Sequence, residues 1–185
     1  MSTPKRDEPK SAYFLVDQKD REIRTTFCVL VDNEAGVLAR VVGLFAGRGY
    51  NIESLTVAEV DHLDRTSRIT IVTSGTPAVL EQIRHQLERL VPVHKVFDLT
   101  AEHPGIEREL ALVKVAGTGE KRVEALRLSD AFRARVIDTT HSSFVFEVTG
   151  SAGKLDAFID LMKPLGLVEV SRTGVVAISR GAEAM

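Results

Sequence analysis

The spacing of apolar side chains changes period several times along this chain, and each change predicts an element. Thr25 to Val31 is a nearly unbroken β-branched and apolar run, the pattern of a strand buried on both faces. Val37, Leu38, Val41, Val42 and Phe45 then recur at helical spacing, with Arg40 and Arg48 off the stripe. Gly47-Arg48-Gly49 ends that helix, because a left-handed C-terminal residue costs least as glycine. Asn51 to Asp61 reads as a long strand, His62 to Thr66 as a charged connection and Arg68 to Thr73 as a returning strand. Thr76-Pro77 opens a second helix, with Thr as N-cap and Pro where its missing N–H costs nothing. Val79, Ile83, Leu87 and Leu90 form its stripe, Pro92 ends it, and Val93 to Leu99 is a last strand.

The same order then repeats. Turn residues at 101–106, with Pro104-Gly105 among them, read as a linker. Leu110 to Ala116 is a strand, and Lys121 to Arg133 a helix with a weaker stripe through Val123, Leu126 and Phe132. Arg135 to Thr140 and Phe144 to Val148 pair across His141-Ser142-Ser143. Leu155, Phe158, Ile159 and Met162 share a helical face before Pro164, which should end the helix. Leu167 to Ser171 and Val175 to Ile178 supply the final extended segment, with Gly174 as an interruption.

The chain is therefore predicted to be α+β, a βαββαβ unit twice, with units at 24–100 and 107–181 and little sequence shared between them. Each unit implies a four-stranded antiparallel sheet with both helices on one face, the ferredoxin-like arrangement with right-handed crossovers. One sheet face in each unit then lacks a helix, and the expectation is that this face or an edge pairs with another subunit.

Composition narrows the function classes. The first 22 residues hold five basic and five acidic side chains and no apolar core segment, so they read as a solvated, poorly ordered extension rather than a secretory signal. No apolar run approaches the length of a membrane span, which sets a membrane role aside. A formal net charge of −2, 5% aromatics and no Trp lack the basic face and stacking rings of a nucleic-acid reader. Cys28, the single cysteine, sits among apolar strand residues and reads as a reduced core thiol of a cytoplasmic protein.

Catalytic and metal chemistry finds little footing. None of the five histidines is spaced from another as a helical zinc pair would be. His141 beside Ser142 and Ser143 lacks a nucleophile elbow and reads as a turn. Gly117-Thr118-Gly119 is half of a dinucleotide fingerprint, but Arg122 stands where the third glycine belongs. Asp32 and Glu34 are ordinary turn acids. No catalytic residue and no metal ligand is assigned.

The loop at 32–38 is different, because its backbone carries the chemistry. A helix start presents unpaired N–H groups and a partial positive charge, and a carboxylate suits it. Gly36 allows close approach of the main chain, and the amides of Val37 and Leu38 should point outward. Asn33 offers a carbonyl oxygen to an ammonium, and Asn51, opening the next strand, offers a second amide, from the same or a neighbouring subunit. The competing reading is that Asn33 caps the helix and Asn51 shapes a turn.

Leu30 to Arg40, Gly43-Leu44-Phe45 and Arg48-Gly49-Tyr50-Asn51-Ile52-Glu53-Ser54-Leu55-Thr56-Val57 resemble the first domain of acetolactate synthase small subunits. Glu107 to Lys114, Ser151 to Phe158 and Arg172 to Val176 continue the likeness, which runs from about Arg24 to Gly181. The resemblance implies an N-terminal ACT domain that dimerises and binds small amino acids, and a C-terminal ACT-like domain. It implies no catalytic centre and no cofactor in this chain. The partner would be the family's catalytic large subunit, which uses thiamine diphosphate, Mg2+ and usually FAD. This chain would activate that subunit and confer feedback inhibition by L-valine, with leucine and isoleucine as further candidate effectors. Carried over residue by residue, the valine positions are Asn33, Gly36 and the amides of Val37 and Leu38, completed by Asn51 and Ile52 of the adjacent subunit of a homodimer. The second unit has no equivalent of residues 33–36, so no second site of this design is expected. The alternative is a free-standing ACT-domain sensor that binds an amino acid and serves no carboligase.

Overall fold

The computed structural model describes residues 21–61, 63, 65–99, 105–182 and 185. The extension expected over residues 1–22 lies outside them except for Arg21 and Glu22, as do linker residues 101–104. The first unit runs β1 (Ile23–Asp32), α1 (Val37–Arg48), β2 (Ser54–Asp61), β3 (Thr66–Gly75), α2 (Pro77–Glu88) and β4 (Val93–Asp98). Its sheet has the order β2-β3-β1-β4, and every neighbouring pair is antiparallel. The second unit runs β5 (Gly105–Ala116), α3 (Glu120–Ala131), β6 (Arg135–Thr139), β7 (Ser143–Gly150), α4 (Ala152–Gly166), β8 (Leu167–Arg172) and β9 (Val176–Ser179). Its main sheet repeats the order as β6-β7-β5-β8. Both units are ferredoxin-like, as the element order predicts.

Each unit has its own core. Phe27, Val29 and Val31 of β1 pack with Ile69 and Ile71 of β3 against Val37, Val41 and Phe45 of α1 and Leu80, Ile83 and Leu87 of α2. In the second unit Val113, Phe146 and Val148 meet Leu155, Phe158 and Met162 of α4, with the Phe132 ring tilted against Phe158 at 5.3 Å between centroids. The predicted caps are present. Thr76 accepts from the Val79 amide at 3.4 Å, and Gly49 closes α1 with φ +70°.

Four local expectations are corrected. Gly105 and Ile106, expected in the linker, already belong to β5, because Gly105 to Arg108 pair with β9. Gly105 is needed there, since a Cβ would lie 3.1 Å from both the Ile178 carbonyl and Leu99. Val123 is half exposed and does not line the core. Ala125 and Ser129 are the buried positions of α3, and Val123 lies about 200° around the helix from Ala125. Pro164 does not end α4, which continues to Gly166. The proline stands in the last turn, where only one backbone bond is lost, and the Leu167 amide closes that turn on Met162.

The fourth correction concerns the open sheet face. The final extended segment divides at Thr173-Gly174-Val175, and β9 leaves the second sheet to pair with residues 105–108. This two-stranded ribbon lies over the helix-free face of the first sheet. Cys28 is buried there with Leu99 and Ala177, beside Phe97 and Met185. Thr26, Val72 and Thr70 on that face are buried as well. Part of the face expected to meet another subunit is thus covered by this chain itself.

Candidate functional site

The loop between β1 and α1 is anchored by its own backbone. The Asp32 amide donates to the Pro92 carbonyl at 2.9 Å and the Asn33 amide to the Arg65 carbonyl at 2.7 Å. The Asp32 carboxylate meets His94 Nε2 at 2.7 Å. These contacts tie the loop to the β2–β3 connection on one side and to the α2–β4 connection on the other. Gly36 is the N-cap of α1 with φ +90° and ψ −9°, a left-handed conformation that glycine adopts without a Cβ penalty. No side chain caps the helix, so Asn33 is not spent on that role and its exposed amide faces solvent.

The helix start keeps its polarity for a ligand. The Val37 amide makes a long 3.5 Å contact to the Glu34 carbonyl, and the first intrahelical bond runs from the Arg40 amide to Gly36. The Leu38 amide has no acceptor among the described residues. The first turn of α1 carries no acidic side chain to offset its partial positive charge, and Glu34, ahead of the cap, pairs with Arg40 at 3.7 Å. Geometry and field both suit a carboxylate.

Asn51 and Ile52 stand elsewhere. Asn51 is exposed, with its main-chain carbonyl taken by Thr73 Oγ1 at 2.6 Å, while Ile52 packs partly against the first core. They precede β2, at the far end of α1 from Asn33. The intervening helix of 12 residues spans about 18 Å. One chain therefore does not bring Asn33 and Asn51 together around a single amino acid.

The surface between these two places is largely apolar or small in side chain. Leu38 and Val42, read from spacing as part of the α1 stripe, are 41% and 37% exposed. Only Val37, Val41 and Phe45 enter the core. The outer face continues with Ala39, Gly43, Ala46 and Gly47, and a Cβ at either glycine would meet nothing within 4 Å. Alongside lies β2, an edge strand with Val57 and Val60 exposed. Two stripes, one buried and one outward, were merged in the sequence pattern because both keep helical spacing.

The other candidates resolve simply. Thr140 Oγ1 accepts from the Ser142 and Ser143 amides at 3.3 and 3.0 Å, so His141 sits at a hairpin turn. Gly117 to Gly119 open α3 within an antiparallel sheet, which is no dinucleotide-binding arrangement. Burial pushes the Cys28 thiol above its ordinary pKa, with Thr70 and the Ala177 carbonyl each 3.8 Å from the sulfur. Among the described residues no cluster of His, Cys, Asp and Glu could hold a metal ion, and no helix is long and apolar enough to cross a membrane.

Comparison with known proteins fits this arrangement. A family model described as the AHAS small subunit-like ACT domain matches residues 27–95, and one for the small subunit of acetolactate synthase matches residues 108–181. A probable acetolactate synthase small subunit of Archaeoglobus fulgidus is 48% identical over 159 residues, covering 86% of this chain and 98% of that protein. The chain belongs to the acetolactate synthase small-subunit family. The isozyme 3 small subunit of Escherichia coli is 47% identical over 165 residues, 88% of this chain and 99% of its own. The crystal structure of the acetolactate synthase small subunit from Thermotoga maritima superposes with a TM-score of 0.77 at 37% identity, covering 87% of this chain and 99% of that one. The loop at 33–38 thus lies in the ACT domain of a small subunit.

Proposed function

We propose that this small subunit activates a thiamine-diphosphate-dependent acetolactate synthase catalytic subunit and makes it sensitive to valine bound between two copies of the ACT domain. One observation carries the reading: the two halves of the candidate site lie at opposite ends of an unpaired edge strand. A two-fold axis through that edge sets the partner's β2 antiparallel to this one. The start of the partner's β2, with Asn51 and Ile52, then comes to the end of the molecule that holds Asn33 and Gly36. Laterally, β1 lies two strand spacings from the edge in the order β2-β3-β1 and three from the partner's β2, about 14 Å.

The same axis places the two α1 helices side by side. Their exposed Leu38 and Val42 would be buried, and the small residues at 39, 43 and 46 permit a close approach. The carboxylate of valine sits on the α1 start, and its ammonium meets Asn33 of one chain and Asn51 of the other. The isopropyl group falls beside Leu38 and the neighbouring Ile52. A ligand that bridges two chains favours the arrangement in which both halves are in place, and it regulates through that difference in affinity. Selection against leucine or isoleucine is weak, about 1–3 kcal/mol per methylene.

Reconstitution tests the reading. The catalytic subunit is assayed with and without this chain while valine, leucine and isoleucine are titrated. Activation by the chain, with inhibition by valine that Asn33→Ala relieves, is the expected result. Valine binding with no effect on any carboligase would instead assign a free-standing sensor, and unchanged inhibition in Asn33→Ala would refute the site.

A further inference from the structure

The clasp between β2 and Val175, just ahead of β9, lies three residues beyond Asn51 and joins the ACT domain to the C-terminal unit. Ser54 Oγ accepts from the Val175 amide at 2.8 Å, and Thr56 Oγ1 donates to the Val175 carbonyl at 2.6 Å. Both side chains are on the helix-free face of β2, and together they satisfy both main-chain groups of one residue. Gly174 makes this approach possible. Its φ is +82°, and a Cβ there would lie 2.8 Å from Ser54 Oγ and 3.0 Å from Thr56 Cγ2. On the other side Thr173 is held by the second unit, its amide donating to the Leu110 carbonyl at 3.0 Å and its hydroxyl accepting from the Leu110 amide at 3.1 Å. Residues 173 and 175, on either side of Gly174, are thus bonded to different domains.

A second polar line starts one residue earlier. Glu53 meets Arg24 at 3.3 Å, and the same guanidinium reaches Glu107 at 3.2 Å. Glu107 also accepts from Thr26 and belongs to the β5 segment that pairs with β9. Both strands of the ribbon are therefore fixed to the ACT sheet, one through Glu107 and the other through Val175. Both lines of contact lead back to residues 53–56, which directly follow the Asn51-Ile52 half of the site.

We infer that this clasp is the joint through which an effector held at Asn51 and Ile52 is sensed by the C-terminal domain, an inference that rests on the valine reading above. Ordering Asn51 and Ile52 fixes the start of β2. That step also fixes Ser54 and Thr56 relative to Val175, and with them the ribbon that leads into β5 and β8. A small shift at the seam thus reaches the ribbon along these contacts, of which the clasp alone bonds Val175 directly.

Hydrogen exchange of the full chain, with and without valine, tests this, with the Ser54→Ala/Thr56→Val double variant alongside. In the unaltered chain valine should slow exchange at 32–54 and also at least twofold at 172–180. In the double variant the slowing should persist at 32–54 and vanish at 172–180. An effect confined to 32–54 in the unaltered chain overturns the inference and leaves valine binding standing. An undiminished effect at 172–180 in the double variant overturns it too. Absence of any valine effect, with no heat of binding, overturns both readings. If circular dichroism shows the double variant unfolded, the isosteric Thr56→Val alone takes its place with the same outcomes.

Discussion

A site shared between chains makes an unusual prediction for mixed dimers. Asn33 and Asn51 sit at opposite ends of α1, too far apart to serve one ligand from one chain. The proposed two-fold dimer would hold two sites, each with Asn33 from one copy and Asn51 from the other. Replacing either with alanine removes a hydrogen bond to the ligand's charged ammonium, worth about 1.5–3 kcal/mol, or roughly a 10- to 150-fold rise in Kd. Each variant homodimer carries that defect in both sites. Co-refolding equal amounts of Asn33→Ala and Asn51→Ala chains changes the distribution. About half of the dimers are then mixed, and each mixed dimer has one site lacking both amides and one with neither altered. About a quarter of all sites should therefore bind valine with unaltered affinity, visible in calorimetry as a distinct tight phase. If the site lay within one chain, every site in the mixture would keep a single defect and no tight phase would form. That outcome, or unchanged affinity in either homodimer, would refute the shared seam.

Three further expectations test the fold. Glu109 is 6% exposed and is held by Arg172 through contacts of 2.6 and 2.7 Å, with Asp156 at 2.6 Å on the same guanidinium. Arg172→Ala strands that carboxylate and should cost about 2–4 kcal/mol in urea denaturation, somewhat below a fully buried pair because the arginine is partly exposed. Arg172→Lys should recover only part of the loss, since it cannot form the fork. Cys28, whose pKa is raised chiefly by burial, holds little thiolate at pH 8. Iodoacetamide should therefore modify it at the rate of unfolding, and labelling as fast as a free thiol would contradict the packing against Ala177. Phe158→Ala should destabilise the second unit by about 3–5 kcal/mol, whereas Val123→Ser on the exposed side of α3 should stay within about 0.5 kcal/mol. A large loss from Val123→Ser would restore the original stripe.

The duplicated fold was legible because most elements announce themselves locally. The α1 and α2 boundaries follow from Gly49 and Thr76-Pro77, and β1 from its unbroken apolar run. The α3 stripe was misread because its core side is made of small residues, Ala125 and Ser129, while a larger Val123 faces outward. Size outweighed phase in the reading. The ribbon escaped for another reason. Pairing of residues 105–108 with 176–179 joins segments about seventy residues apart, and no periodicity encodes which sheet a short strand joins. The one local sign was Gly174, read as an interruption but not as a point of close approach to β2. Of the candidate site, Gly36 and the two asparagines were legible from residue type and position. The outward role of Leu38 and Val42 was not, since helical spacing does not distinguish a stripe facing the core from one beside it.

The same physics favours the first unit over the second for the proposed site. The loops after β1 and β5 occupy equivalent places, and glycine caps the following helix in both. Their helix starts differ. The first turn of α1 has no acid, so its partial charge is available, whereas α3 begins with Glu120, a carboxylate already placed at the dipole. Gly117, two residues before that cap, is packed against the chain. The Gly117 amide is taken by the Ser142 carbonyl at 2.9 Å, and a Cβ at Gly117 would come within 3.2 Å of the Leu165 carbonyl. Gly119, the cap itself, has open space around it as Gly36 does, so the acid and not the space separates the two helix starts. Duplication supplied two helix starts, and the one without an acid in its first turn is the one better equipped to hold an anion.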